Sequence, residues 1–240
     1  MAAARARSRS PRSAAGGYLD KTHRPLNCLM FILPLLTAYE AGALFFPGRL
    51  LATQHLAALL RLFGATASFL PPLGVLVVLL LWHIFSRQRW RVDAAAVAGM
   101  AAESVLCMVP LVLMNVLVGR LRAAAASAGG DGKALAAEIL IGVGAGIYEE
   151  FLFRLAGIGL FLLLCVDIVH GPKRPMVTAA VILTSVLFAL YHFLGPTTFE
   201  GTLFVFYALA GAYLAGLYIA RGFGVAVGTH ACYNIVVALL

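Results

Sequence analysis

Apolar runs of roughly 17 to 25 residues, enough to cross about 30 Å of hydrocarbon as helix, recur along nearly all of this chain. The first is "CLMFILPLLTAYEAGALFF", Cys28 to Phe46. Of the 240 residues, 62% are hydrophobic and 12% charged, and the mean hydropathy is +0.95, far outside the range of soluble domains. The fold class this implies is an all-α, polytopic bundle of membrane helices, with no room for a second soluble domain. The formal charge of +8 would raise nucleic-acid binding in a soluble protein. Here the basic residues lie between apolar runs, where they act as topology signals against membrane lipids, and no nucleic-acid partner is expected.

Residues 1–27, with Arg5, Arg7, Arg9, Arg12, Lys21 and Arg24 and little apolar to fold around, are expected to form a disordered basic cytoplasmic tail. The "AGA" at Ala41 to Ala43 raises a cleaved signal peptide. The long basic stretch before the run and Glu40 favour an uncleaved anchor instead. N-terminal membrane helices are expected over 28–119. Within them, residues 52–70, with Gln54, His55 and Arg61 among apolar residues, suit an interfacial amphipathic helix. Pro71–Pro72 opens the run to Phe85, and a further span over 94–119 contains Glu103 and Pro110. Residues 120–134, rich in Ala and Gly, read as a linker.

The C-terminal part, 135–240, holds a long helix to about Val166 and spans over 176–194, 202–220 and 222–240. The long helix exceeds what a bilayer needs, which predicts tilt or a break near Gly157–Gly159. About seven spans result. With the N-terminus inside, twelve of the 18 Lys and Arg fall on the cytoplasmic side. An eighth span at 52–70 would move the 87–91 and 173–174 clusters outside, against the positive-inside rule. The location expected is a cell membrane, and the Ala/Gly-rich composition suggests a bacterial inner membrane. Cys28, Cys107, Cys165 and Cys232 have no CxxC or other ligand spacing and read as small hydrophobes.

Ionisable residues inside spans are costly and usually have a task. Three places fit: Glu149, Glu150 and Arg154 in "YEEFLFR", His192 in "FALYHF", and His230 with Asn234 in "GTHACYN". At about 100° per residue, Glu150 and Arg154 share a helix face while Glu149 points elsewhere. Glu150 is therefore expected to pair with Arg154, and Glu149 to lack a local cation. His230 and Asn234 stand four apart and share a face of the last span. Glu149, His192 and His230, on three helices, could converge only in a bundle core, there to hold a divalent metal such as zinc or to activate water by hydrogen bonding alone. Asn234 could donate to a developing oxyanion.

A plain ion-pair network and interhelical histidine bonds are the structural readings of the same residues. His23, His55, His83 and His170, near span ends, tail or interface, read as bystanders. Gly142, Gly144 and Gly146 follow no strand and precede no Lys-Ser/Thr, so close helix packing explains them better than a phosphate loop. The chain has no HExxH, no GxSxG and no aspartate in the middle of a span.

"EEFLFR", "FALYH" and "HACYN" follow, in order, EExxxR, FxxxH and HxxxN. Together they resemble the CAAX-protease and bacteriocin-processing (CPBP) family of intramembrane proteases, also called the Abi or type II CAAX prenyl endopeptidase family. The resemblance covers about residues 135–240. It implies a helical bundle around a polar cavity and peptide-bond hydrolysis by activated water, with Glu149 as base, His192 and His230 as the family histidines and Asn234 on the oxyanion. Substrates would be membrane-anchored or lipidated proteins or peptides. Members are described both as metalloproteases and as metal-independent glutamate proteases, so a metal on Glu149, His192 and His230 stays open. A proton- or ion-coupled transporter is the main rival, since Glu/His sets also build proton relays; a non-catalytic scaffold is the third reading. The lack of a visible repeat counts against the transporter, and the filled motifs against the scaffold.

Overall fold

The computed structural model describes residues 17–45, 70–119, 132–194 and 198–240. Every regular element among them is helical. In chain order these are α1 (Tyr18–Thr22), α2 (Pro25–Phe45), α3 (Leu70–Phe85), α4 (Ala94–Cys107), α5 (Val109–Leu117), α6 (Gly132–Glu150), α7 (Lys173–Tyr191), α8 (Gly201–Arg221) and α9 (Phe223–Leu239). Asp93 caps α4 through Ala96 N–H at 2.9 Å. Pro110, with no N–H to give, stands in the first turn of α5, and the α4/α5 break falls at Met108.

Five stretches are long and apolar enough to cross a membrane: Pro25–Phe45, Ala94–Leu117, Leu135–Ile168, Lys173–Tyr191 and Gly201–Arg221. The chain is thus a polytopic helical membrane protein. Helices α3 and α9, of 16 and 17 residues, are apolar but shorter; the sequence count of seven includes both.

Of the tilt or break expected for the long helix, no break occurs near Gly157–Gly159. Past Glu150 the chain winds on as π-helix over Phe151–Ile158, returns to α over Gly159–Leu162 and widens again over Leu163–Ile168. Bonds from residue i to i+5 keep the backbone paired in lipid while re-aiming the side chains, so the helix widens instead of stopping.

The free tail expected through residue 27 also fails over its last part. Thr22 and Asn27 are fully buried. Asn27 donates to Lys21 O at 2.9 Å and accepts from Asp93 N–H at 3.1 Å, binding the turn before α2 to the start of α4. Tyr18 donates to Glu103 at 2.8 Å, and Glu103, the carboxylate inside the third apolar run, pairs with Arg221 at the end of α8. His23 lies between Leu19 O and Ile219 O, at 2.9 and 3.2 Å. Residues 1–16 of the expected tail, 52–69 of the interfacial helix expected over 52–70 and 120–131 of the linker expected over 120–134 lie outside the described residues; residues 132–134 are already helical, as the start of α6.

Helix α9 runs through the middle of the bundle, with every residue from Phe223 to Ala231 buried. Small residues let its neighbours close in. A Cβ on Gly146 of α6 would stand 2.7 Å from the Ala231 backbone nitrogen, and one on Gly142 2.8 Å from Asn234 Cβ. The G-x-x-x-G stripe of α6 is thus a packing seam against α9, as the sequence suggested. Gly224 and Gly228 admit other neighbours, Met100 and Ser104 of α4 and Phe31 of α2, which press against α9.

Candidate active site

Glu149 and Glu150 end α6 where α winding gives way to π. Glu150 is fully buried, and its Oε1 lies 2.9 Å from Arg154 Nη1, the i, i+4 pair expected from the sequence. The same oxygen accepts from His230 Nδ1, also at 2.9 Å. Arg154 is buried as well; it donates through Nη2 to Gly211 O at 3.0 Å and lies over the Phe188 ring at 4.4 Å. A guanidinium and a carboxylate this deep are tolerable because each neutralises the other, although Glu150 Oε2 and Arg154 Nε and Nη1 are buried with no hydrogen-bond partner among the described residues.

Glu149 turns the other way. Its Oε2 is buried and has no direct hydrogen-bond partner among the described residues. Two imidazoles face it, His192 Nε2 at 3.8 Å from α7 and His230 Nε2 at 3.9 Å from α9. His192 follows the last residue of α7, where helix carbonyls lose their partners, and its Nδ1 lies 2.8 Å from Phe188 O. A carbonyl only accepts, so Nδ1 carries the proton there. His230 Nδ1 likewise donates to the Glu150 carboxylate. In the neutral rings both Nε2 atoms then present lone pairs toward Glu149. Tyr207 of α8 stacks on His192, centroids 4.0 Å apart at 21°, and Phe188 meets it edge-on at 4.6 Å.

Asn234, one turn beyond His230, donates through Nδ2 to Gly142 O at 3.0 Å. Four of the side chains singled out in the sequence, Glu149, Glu150, His192 and His230, are thus in one cluster with Arg154 behind them; Asn234 is fastened to Gly142, about two turns before Glu149 on α6. As a metal site the cluster does not fit: among the described residues no group of three His, Cys, Asp or Glu is arranged to hold a metal ion, Glu149, His192 and His230 included. None of the four cysteines joins the cluster; Cys28, the buried one, donates to Thr22 O.

Sequence reasoning missed the second layer. Glu150 serves His230 as well as Arg154, Phe188 supports both Arg154 and His192, and α8 supplies Tyr207 and the Gly211 carbonyl. Gly211 has a local signal in its small neighbours, "ALAGAYLAG", and a Cβ there would stand 3.2 Å from Phe188 and from Ser185. Tyr207 has none.

Residues 132–236 match the family model of the Rce1-like type II CAAX prenyl endopeptidases. This stretch is a CPBP-family domain. The CPBP match begins with α6, ends within α9 and takes in EExxxR, FxxxH and HxxxN, the three motifs that supply the glutamates, the arginine and the histidines of the cluster. Membership implies an intramembrane peptidase with protein or peptide substrates. Neither the curated proteins nor the solved structures give a match.

Proposed function

We propose that this protein hydrolyses a peptide bond in a membrane-anchored or lipidated protein or peptide, using a water activated by Glu149. The observation that carries the reading is Glu149 Oε2, a buried carboxylate oxygen without a direct partner, faced by the Nε2 atoms of two histidines whose other nitrogens are tied down. At 3.8 and 3.9 Å the three groups stand at separations that a bridging water, rather than a direct bond, joins. Glu149 takes a proton from that water as its oxygen attacks the carbonyl carbon of the substrate. The water's other hydrogen goes to Nε2 of His192 or His230, which positions it. The carbonyl oxygen becomes an oxyanion, to which Asn234 offers the amide hydrogen not used on Gly142 O. When the C–N bond breaks, Glu149 hands its proton to the leaving amine, and a new carboxylate and a new amine result.

Around this site we place seven membrane crossings, counting α3 and α9 with the five longer stretches, and a cytoplasmic N-terminal side. CAAX-type trimming and maturation of membrane peptides both supply substrates of the required chemistry, an extended segment held at the membrane next to the cleaved bond. The purified protein, given a peptide substrate found by comparing membrane peptides that accumulate with Glu149→Ala and with the native enzyme, should release product. Glu149→Ala, His192→Ala and His230→Ala should each lower turnover by about 10²-fold or more, the scale of a lost general base. Undiminished turnover in any of them removes that residue's role. Ion flux in proteoliposomes without any proteolysis would instead favour the transporter.

A further inference from the structure

The loop between α3 and α4, "SRQRWRVD" over residues 86–93, carries three arginines and a tryptophan. Arg87, Arg89, Trp90 and Arg91 are all exposed. None of the three guanidinium groups has an ion-pair partner among the described residues. The nearest acid in sequence, Asp93, is already taken by Lys21 at 2.6 Å and by the Ala96 N–H. Trp90 is 64% exposed, yet its ring meets the buried His83 edge-on at 4.4 Å, so the loop is fastened back on the end of α3. Tryptophan and arginine at the end of a span mark the headgroup level of a bilayer.

From this loop a groove runs into the membrane. It has a volume of about 460 Å³ and lies between α2 and α4, starting at Val92, the residue after Arg91. Val97, Ala98 and Ala101 form one wall, Phe31 and Pro34 the other, and nothing charged lines it. The alanines are too short to reach α2, which leaves the trough open. Unpaired positive charge at the headgroup level, continuous with a hydrocarbon-lined trough below it, matches an amphiphile with an anionic head and an apolar chain.

We propose that loop 86–93 and the α2/α4 groove bind an anionic phospholipid, its phosphate on Arg87, Arg89 and Arg91 and one acyl chain in the groove. The site stands apart from the Glu149 cluster and does not rest on the peptidase reading. Basic residues near the bilayer surface attract anionic lipid at about 1 kcal/mol each, about fivefold per arginine.

The test uses the full chain in nanodiscs of equimolar phosphatidylglycerol and phosphatidylcholine with identical chains, extracted in mild detergent, with retained lipid quantified by mass spectrometry. Native protein should keep phosphatidylglycerol over phosphatidylcholine by at least about tenfold. The R87Q/R89Q/R91Q variant should lose that preference, and Ala98→Phe, which fills the groove, should lower retention while leaving the arginines in place. Glycerol 3-phosphate, a head without a chain, should not displace the lipid. Equal retention of both lipids by the native protein overturns the proposal. So does a preference untouched by Ala98→Phe, which would mean surface attraction alone. Displacement by a farnesylated cysteine peptide, with no dependence on the arginines, would overturn it too, making the groove a substrate site.

Discussion

Oε1 of Glu150 pairs with the Arg154 guanidinium on one side and accepts from His230 on the other, each at 2.9 Å. Arg154→Met removes the only full positive charge in that arrangement while keeping the bulk. It should destabilise the protein by about 3–5 kcal/mol, the cost of stranding a buried carboxylate, measured by unfolding in detergent. Tyr207 stacks on His192, centroids 4.0 Å apart. Tyr207→Ala should therefore lower kcat by up to about tenfold, since aromatic pairs contribute about 0.5–1.5 kcal/mol, and Tyr207→Phe, which keeps the ring, should retain the stacking share. Turnover of both variants on one peptide substrate checks this. The split between Glu149 and Glu150 was legible in the sequence because it is a matter of local spacing. The Glu150 to His230 bond joins positions 80 residues apart, and nothing local marks it.

At the scale of elements, the α6/α9 seam carries Glu149 and Glu150 on one side and His230 on the other. Gly146→Ala would push a methyl to 2.7 Å from the Ala231 backbone nitrogen, next to His230. Overpacking of this kind costs about 1–3 kcal/mol, and peptidase activity should fall even in protein that accumulates normally. Gly216→Ala in α8, where a Cβ meets nothing within 4 Å, should be neutral or slightly stabilising in the same melts. Hydropathy made the helices legible, and Gly142 and Gly146 the close packing. It did not show the π winding after Glu150, because α and π turns use the same apolar residues and differ only in which carbonyl each N–H reaches. Nor does composition separate α9 from its neighbours, although α9 alone is buried from Phe223 through Ala231.

For the whole molecule, residues 17–27, the last of the expected tail, are part of the bundle, held by Asn27, by Tyr18 with Glu103, and by Lys21 with Asp93. In the sequence this stretch reads as a mixed, largely polar segment, since the partners of its polar groups lie far along the chain. The hydrogen bond from Lys21, followed by that from Ala96 N–H, holds the Asp93 carboxyl below the usual carboxylate range. A lowered value means the contact stabilises the fold at neutral pH and is lost as pH falls through that value, below the ordinary Asp pKa of about 3.9. Asp93→Asn should flatten this acid limb in melting temperature against pH. Single cysteines placed at Gln88 and Lys173 in a cysteine-free background should label from the same side of the membrane, and one at Phe199 from the other. Labelling of all three from one side would contradict seven crossings.

The central claim, that Glu149 activates the water that cuts a membrane peptide, is tested most directly by cleavage in ¹⁸O-enriched water with native and Glu149→Gln enzyme side by side. The native enzyme should place one ¹⁸O in the newly formed carboxyl group, and Glu149→Gln, close in shape but unable to take the proton, should form product at least about 10²-fold more slowly. Product without the label, or equal rates from the two proteins, would contradict it.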